Sequence, residues 1–390
     1  MTKYDAFHPT PRILLGPGPS MVAPRVLAAM SRPPLGYLDP QWFACMGEVQ
    51  DMLRTVLGTQ NDQTLAIGAT GMSGMEACLA NLIEPGDPVL IGVNGVFGTR
   101  MKVIAERLGA QVTVCEAQWG TALSEDALRT AAAGQPFKVV AAVHAETSTG
   151  VLQPLQPLRN IAQETGALLV VDAVTSVGGV RVDMDIHGID ALYSGAQKCL
   201  ACPTGLAPVS FSERAVDTIK QRKTEIAGFY LDLKGLWNYW GEPRAYHHTP
   251  PGHLFYALHE GLRIVLEEGL EERYLRHQIA SQALCAGLTA MGLDLVVHEE
   301  ERLAPLTAVR IPDGIDDASV RQQLLQQFDL EIGGGLGPMK GKVWRIGLMG
   351  VGAQRRHVML CLTALATVLR QENFPLQGDP LVAASEVWSG

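Results

Sequence analysis

Between Thr64 and Phe211 short apolar runs alternate with segments of helical period, and this rhythm leaves few folds open. Runs of Val, Ile, Leu and Ala without polar interruption are strands covered on both faces, and the helix after each one carries the chain back across the sheet. The pattern predicts strands at Leu65–Ile67, Val89–Ile91, Val112–Val114, Val139–Val143, Leu168–Val171, Ala191–Tyr193 and Leu206–Val209. It predicts helices at Gly71–Ile83, Gly98–Leu108, Ser124–Ala133 and Leu158–Thr165. The expected class is α/β, a large domain with a mostly parallel sheet and helices on both faces. Ligands of such sheets sit beyond the carboxyl ends of the strands, so that is where chemistry is sought.

After Leu254 the period changes. Helices are expected at Leu254–Glu268, Leu270–Met291, Ala318–Gln327 and Gln354–Leu369, with strands at Leu306–Arg310 and near Val343–Ile346. At 390 residues the chain has room for two cores. The division expected is a large domain over 21–253 and a smaller α+β domain over 254–375 joined by residues 1–20. Residues 376–390 read as a loose tail, and Tyr230–Pro251, rich in aromatics, Gly and Pro, as the connection between domains.

The net charge of -9, with no long basic run, argues against a nucleic-acid partner. Apolar stretches are strand-sized, far below the roughly 20 residues that cross a bilayer, so no membrane span is expected. Met1–Arg12 has no apolar leader core, and a cytoplasmic location is expected. The odd count of seven cysteines fits reduced thiols. Cys199 and Cys202 form a C-x-x-C pair, but no second pair or suitably spaced His accompanies it, and no metal site is expected.

Four features fall at strand ends. Gly68-Ala-Thr70-Gly71-Met72-Ser-Gly74 is a small-residue turn opening a helix, suited either to an anion at the helix N-terminus or simply to close packing. It lacks the G-x-G-x-x-G spacing of a dinucleotide fold, which counts against a dehydrogenase. Asp172 ends a buried strand, where a carboxylate needs a cation such as a protonated ring nitrogen, or else caps the next helix. Lys198, in Tyr193-Ser-Gly-Ala-Gln-Lys198 and among small and apolar residues, is placed for desolvation that frees its amine for Schiff-base chemistry. Arg345, on a strand of the second domain, matches a substrate carboxylate with its planar fork or forms an ordinary ion pair. The adjacent His247 and His248 point to opposite faces of an extended chain and make no metal site by themselves. His144, at the end of Val139–Val143, is the histidine expected nearest a bound ring.

Taken together, Leu15-Gly-Pro-Gly-Pro-Ser20, Glu84-Pro-Gly-Asp87, His144-Ala-Glu-Thr-Ser-Thr-Gly150, Val171-Asp-Ala173, Ser194-Gly-Ala-Gln-Lys198, Tyr246-His-His-Thr249 and Gly334-Gly-Leu-Gly337 make the chain resemble the class V aminotransferases of pyridoxal-phosphate (PLP) fold type I. Within them it is similar to the alanine–glyoxylate and serine–glyoxylate (serine–pyruvate) enzymes from about Leu14 to Leu369. The resemblance implies pyridoxal 5'-phosphate as cofactor, Lys198 as its Schiff-base lysine and Asp172 as partner of the pyridine nitrogen. It implies phosphate contacts from Thr70, Gly71, Met72 and Gln197, a contact of Thr147 with the phenolic oxygen, and ring contacts from Val174 and Phe97. Tyr246 and Thr249 are implied to reach the phosphate of a second subunit in a homodimer with shared sites. Arg345 and Gly18 are implied at the substrate, and Tyr37 near the substrate pocket of the second subunit.

Two departures stand out. Phe97 occupies, in Asn94-Gly-Val-Phe97-Gly, the place of a stacking Trp, and Tyr37 stands where many relatives carry His, which bears on the amino donor. The implied activity is transfer from alanine or serine to glyoxylate, giving glycine and a 2-oxo acid by ping-pong kinetics. Ureidoglycine as donor, or a class V lyase or desulfurase, is the alternative.

Overall fold

A computed structural model describes residues 4–226 and 228–389; the outermost residues of the expected N-terminal segment and tail, 1–3 and 390, lie outside them. The central sheet has seven strands: β1 Gln63–Ile67, β2 Pro88–Val93, β3 Gln111–Glu116, β4 Val139–Val143, β5 Leu168–Asp172, β6 Ala191–Tyr193 and β7 Ala207–Phe211. Their spatial order is β1-β7-β6-β5-β4-β2-β3, and only β7 runs antiparallel to its neighbours. Every residue of β4, β5, β6 and β7 is buried, which is why these stretches read as unbroken apolar runs.

The helices are α1 Pro24–Ala29, α2 Pro40–Leu57, α3 Gly71–Leu82, α4 Val96–Arg107, α5 Glu125–Ala132, α6 Leu155–Thr165, α7 Glu213–Lys220, α8 Leu233–Trp240, α9 Gly252–Glu268, α10 Leu270–Ala290, α11 Asp317–Phe328, α12 Arg355–Gln371 and α13 Pro380–Val387. One apolar core unites the central sheet with helices from α1 to α9. A second joins Leu15 to α10, α11, α12 and a small antiparallel sheet of β8 Leu306–Arg310, β9 Gly333–Gly334 and β10 Val343–Gly347. Among the described residues no helix is long and apolar enough to cross a membrane.

Two expectations are corrected. Tyr230–Pro251 is not a mere connection: its helix α8 buries Leu233, Leu236, Trp237, Tyr239 and Trp240 in the first core, and Trp42 Nε1 donates to the Tyr239 hydroxyl at 2.8 Å. The aromatics of this segment are packing groups. The stretch 376–390 is not a loose tail either. Asp379 caps α13 by accepting from the Leu381 and Val382 N–H groups, Pro380 opens the helix, and Ala384 is fully buried where α13 packs on α10 and α12.

Candidate active site

The parallel register sets Asp172, the last residue of β5, beside Tyr193, the last of β6. Asp172 is buried; its Oδ1 accepts from the Val174 N–H at 2.9 Å and its Oδ2 from the Tyr193 hydroxyl at 2.9 Å. Burial pushes its pKa up to about 7 in spite of those donors and of nearby Lys198. Lys198 follows β6 through a tight turn, and its Nζ donates to the carbonyl of Pro17. Burial, helped by Arg345, pulls the ammonium down to about 8, so a useful share of neutral amine exists near neutral pH. Gly18 makes the space for this amine. Its φ of 116° suits glycine, and a Cβ there would lie 2.6 Å from Lys198 Nζ.

These groups open onto a cleft whose walls include Thr70, Gly71, Met72, Phe97, Thr147, Asp172, Val174, Gln197 and Lys198. Nine of the residues expected at the cofactor thus share one cavity. At one end stands the N-terminus of α3, with free N–H groups and no side-chain cap. Gln197 also lines the cleft, with its Oε1 buried and without a partner among the described residues. A carboxylate for a ring nitrogen, an amine for an aldehyde and a helix N-terminus for a phosphate fit pyridoxal phosphate.

Arg345 does not line the cavity but is tied to its wall: Nε donates to the Gly334 carbonyl at 2.7 Å and Nη1 to the Thr147 carbonyl at 3.0 Å. Burial lowers its pKa to about 10, which leaves it charged at neutral pH. Tyr37, Tyr246 and Thr249 are not brought to the cavity within one chain. Tyr37 is exposed with its ring edge-on to Trp42, while Tyr246 and Thr249 are exposed and hydrogen-bonded to each other at 2.6 Å. His144 is buried outside the cavity, and burial drives its imidazole down to about 3. It faces the other side of β4 because strand residues alternate in direction.

Three residues at the site carried no expectation. Tyr193 holds Asp172, as above. Arg100 lines the cleft with its guanidinium 5.1 Å from the Phe97 ring centroid, over the ring face. Glu146 is fully buried and accepts from the N–H and hydroxyl of Ser148, at 3.0 and 2.6 Å, and from the N–H groups of Phe97 and Gly98, at 3.0 and 3.3 Å. It therefore caps α4 from outside and fixes the backbone of Phe97. An acid inside the apolar and small-residue stretch 142–150 was the available signal, since a carboxylate there must find donors. No cysteine lines the cleft; Cys199 and Cys202 are buried, and burial raises both thiols to about 12, which leaves them poor nucleophiles.

A family model described as aminotransferase class-V matches residues 35–338. The chain is 42% identical to the (S)-ureidoglycine–glyoxylate transaminase of Bacillus subtilis over 97% of this chain and 95% of that one. It is also 42% identical to the alanine–glyoxylate aminotransferase of Callithrix jacchus, with 92% and 88% covered. The crystal structure of an alanine–glyoxylate aminotransferase from Nostoc sp. superposes with a TM-score of 0.93 at 46% identity, covering 95% of this chain and 98% of that one.

Proposed function

The chain belongs to the class-V aminotransferases, and from that premise we propose that it moves an amino group from a small amino acid, alanine foremost, to glyoxylate, giving glycine and a 2-oxo acid. The observation that carries this reading is the meeting of buried Asp172 and Lys198 in one cleft, with charged Arg345 tied to its wall. Pyridoxal phosphate, when bound, supplies an electron sink and carries the amino group between the two halves of the reaction. Lys198 would hold it through its amine, Asp172 would keep the ring nitrogen protonated, and Val174 and Phe97 would pack on the ring. Thr147 would meet the phenolic oxygen, and Thr70, Gly71, Met72 and Gln197 the phosphate.

Lys198 Nζ, partly neutral near pH 7, would take the proton from the donor's α-carbon and pass it to the carbon that accepts the amino group, and in the second half would move a proton the opposite way, onto the α-carbon of the product amino acid. Arg345 binds the carboxylate that donor and acceptor both carry, which lets one site serve both. Gly18 and Arg345 would bound the substrate in one chain, and Tyr37 would reach the substrate pocket of a second subunit. The exposed Tyr246 and Thr249 suit a cytosolic homodimer in which each subunit completes the other's phosphate site. A second donor, ureidoglycine, is favoured by the 42% identity to the Bacillus subtilis transaminase.

The test is the half-reaction. The protein loaded with cofactor is mixed in turn with alanine, serine, glutamate and ureidoglycine while the cofactor absorbance is followed, with Lys198→Ala as control. Bleaching by alanine, then recovery with glyoxylate and formation of glycine, is expected. A band that glyoxylate never restores overturns the reading, and fastest bleaching by ureidoglycine moves the donor to the second reading.

A further inference from the structure

The carboxylate of Asp172 is held by a residue that packing alone does not explain. Tyr193 is completely buried, and its hydroxyl donates to Asp172 Oδ2 at 2.9 Å. The ring is wedged under α3: a Cβ on Gly74 would lie 2.8 Å from Tyr193 Cβ, so α3 can approach this closely only at a glycine. A phenylalanine would fill the same space. What tyrosine adds is a single neutral donor, and a buried hydroxyl is costly unless it is bonded. The Val174 N–H holds the other oxygen, so the protein fixes the carboxylate's rotation with two donors and leaves the remaining lone pairs for a ligand.

The titratable groups that face Asp172 are Tyr193, Lys198, Glu146 and Cys78. Glu146 favours protonation of Asp172, and Lys198 opposes it. Of these four, only Tyr193 donates a hydrogen bond to Asp172.

We propose that Tyr193 is a positioning residue for Asp172: its hydroxyl fixes the carboxylate and keeps it ionised, so that the proton shared with the cofactor's ring nitrogen stays on nitrogen. The proposal rests on the assignment of Asp172 as partner of that nitrogen. A donor to the carboxylate stabilises its charged form and so makes it the poorer proton acceptor. Loss of the hydroxyl makes the carboxylate more basic and draws the proton off the ring.

The experiment is solid-state NMR of the holoenzyme loaded with ring-15N pyridoxal phosphate, comparing the wild type with Tyr193→Phe and Asp172→Asn. In Tyr193→Phe the nitrogen resonance is expected to move toward the unprotonated position, the preference for nitrogen falling about tenfold, one unit of relative acidity. In Asp172→Asn the protonated resonance is expected to be lost. If Tyr193→Phe does not fold, 3-fluorotyrosine at 193, a stronger donor of nearly the same size, moves the downfield N–H proton resonance upfield, the opposite sense to the phenylalanine change. A response to Asp172→Asn with none to either change at 193 overturns the proposal alone. No response to Asp172→Asn overturns the assignment of Asp172 and the proposal with it.

Discussion

The inner end of the cleft and the segment around Tyr246 are built in opposite ways. At the inner end Asp172 and Tyr193 sit on neighbouring strand ends, buried, with both carboxylate oxygens bonded within the chain. Around Tyr246 the side chains are ordered by stacking, Phe229 on His247 with centroids 4.5 Å apart and Tyr230 on His248 at 3.9 Å, yet Tyr246 is 52% exposed and its hydroxyl bonds to Thr249. The difference teaches which parts of a site one chain can finish alone. Groups that must hold or move a proton are desolvated by the sheet, because burial is what shifts their pKa values. Groups that only add hydrogen bonds to an anion can be left on the surface until something docks there.

The largest effect should come from the inner end. Lys198→Ala removes the only amine that lines the cleft among the described residues, and turnover should fall by about a thousandfold or more. The N-terminus of α3 and Gln197 remain, so the variant should still bind the cofactor, now in dialysable form. Single-turnover kinetics and dialysis check the two halves separately. A variant that keeps most of its turnover would break the distinction between an inner end that does chemistry and an outer one that only binds.

Next in size is a dependence of stability on pH in the cofactor-free chain. Asp172 has a folded pKa of about 7 against an ordinary 3.8, so the folded state keeps a proton that the unfolded state gives up. Its burial therefore costs nothing extra below the lower value, stability falls as pH rises through the window from 3.8 to about 7, and the cost is complete above it. Asp172→Asn should match the parent at the acid side and exceed it on the alkaline side by up to about 4 kcal/mol. Lys198 acts in a separate window: its charge costs most below about 8 and the cost is relieved as pH rises toward 10.5. Thermal melts of the cofactor-free proteins across the range read the difference, and parallel curves for parent and variant would show that Asp172 is not desolvated as strongly as the geometry demands.

This contrast also explains what was legible in the sequence. Asp172 and Lys198 could be read because a charged residue beside an apolar strand is conspicuous, and the strands themselves follow from full burial on both faces. The role of Tyr193 is not legible, since a tyrosine among apolar neighbours gives no sign of what its hydroxyl meets; that depends on strand order, which sets β6 beside β5. Glu146 was visible as an acid in an apolar stretch, but its partners Phe97 and Gly98 lie nearly fifty residues away. Helix α13 was missed although Asp379-Pro380 is a helix start, because Gly378 and the short apolar run after it look equally like an unpacked end. His144, the histidine expected nearest a bound ring, is buried between Val143 and Ala145, which line the cleft while His144 does not.

The smallest effect tests the outer region. On the proposed dimer the Tyr246 hydroxyl is shared between Thr249 and the phosphate of the partner's site, so Tyr246→Phe removes one hydrogen bond to a charged group at the rim of the cleft. Such a bond is worth about 1.5 kcal/mol, or roughly tenfold in cofactor affinity. The loss should appear as a faster release of cofactor while turnover at saturating cofactor stays close to wild type, because no proton passes through this residue. The wild-type affinity should also weaken on dilution to the point where subunits separate, and the variant's should weaken less, having already lost part of what the partner supplies. Fluorescence titration of cofactor at two protein concentrations measures both. If wild type and Tyr246→Phe bind equally well at either concentration, the segment is surface of a lone chain, and the inner end then forms the whole of the site.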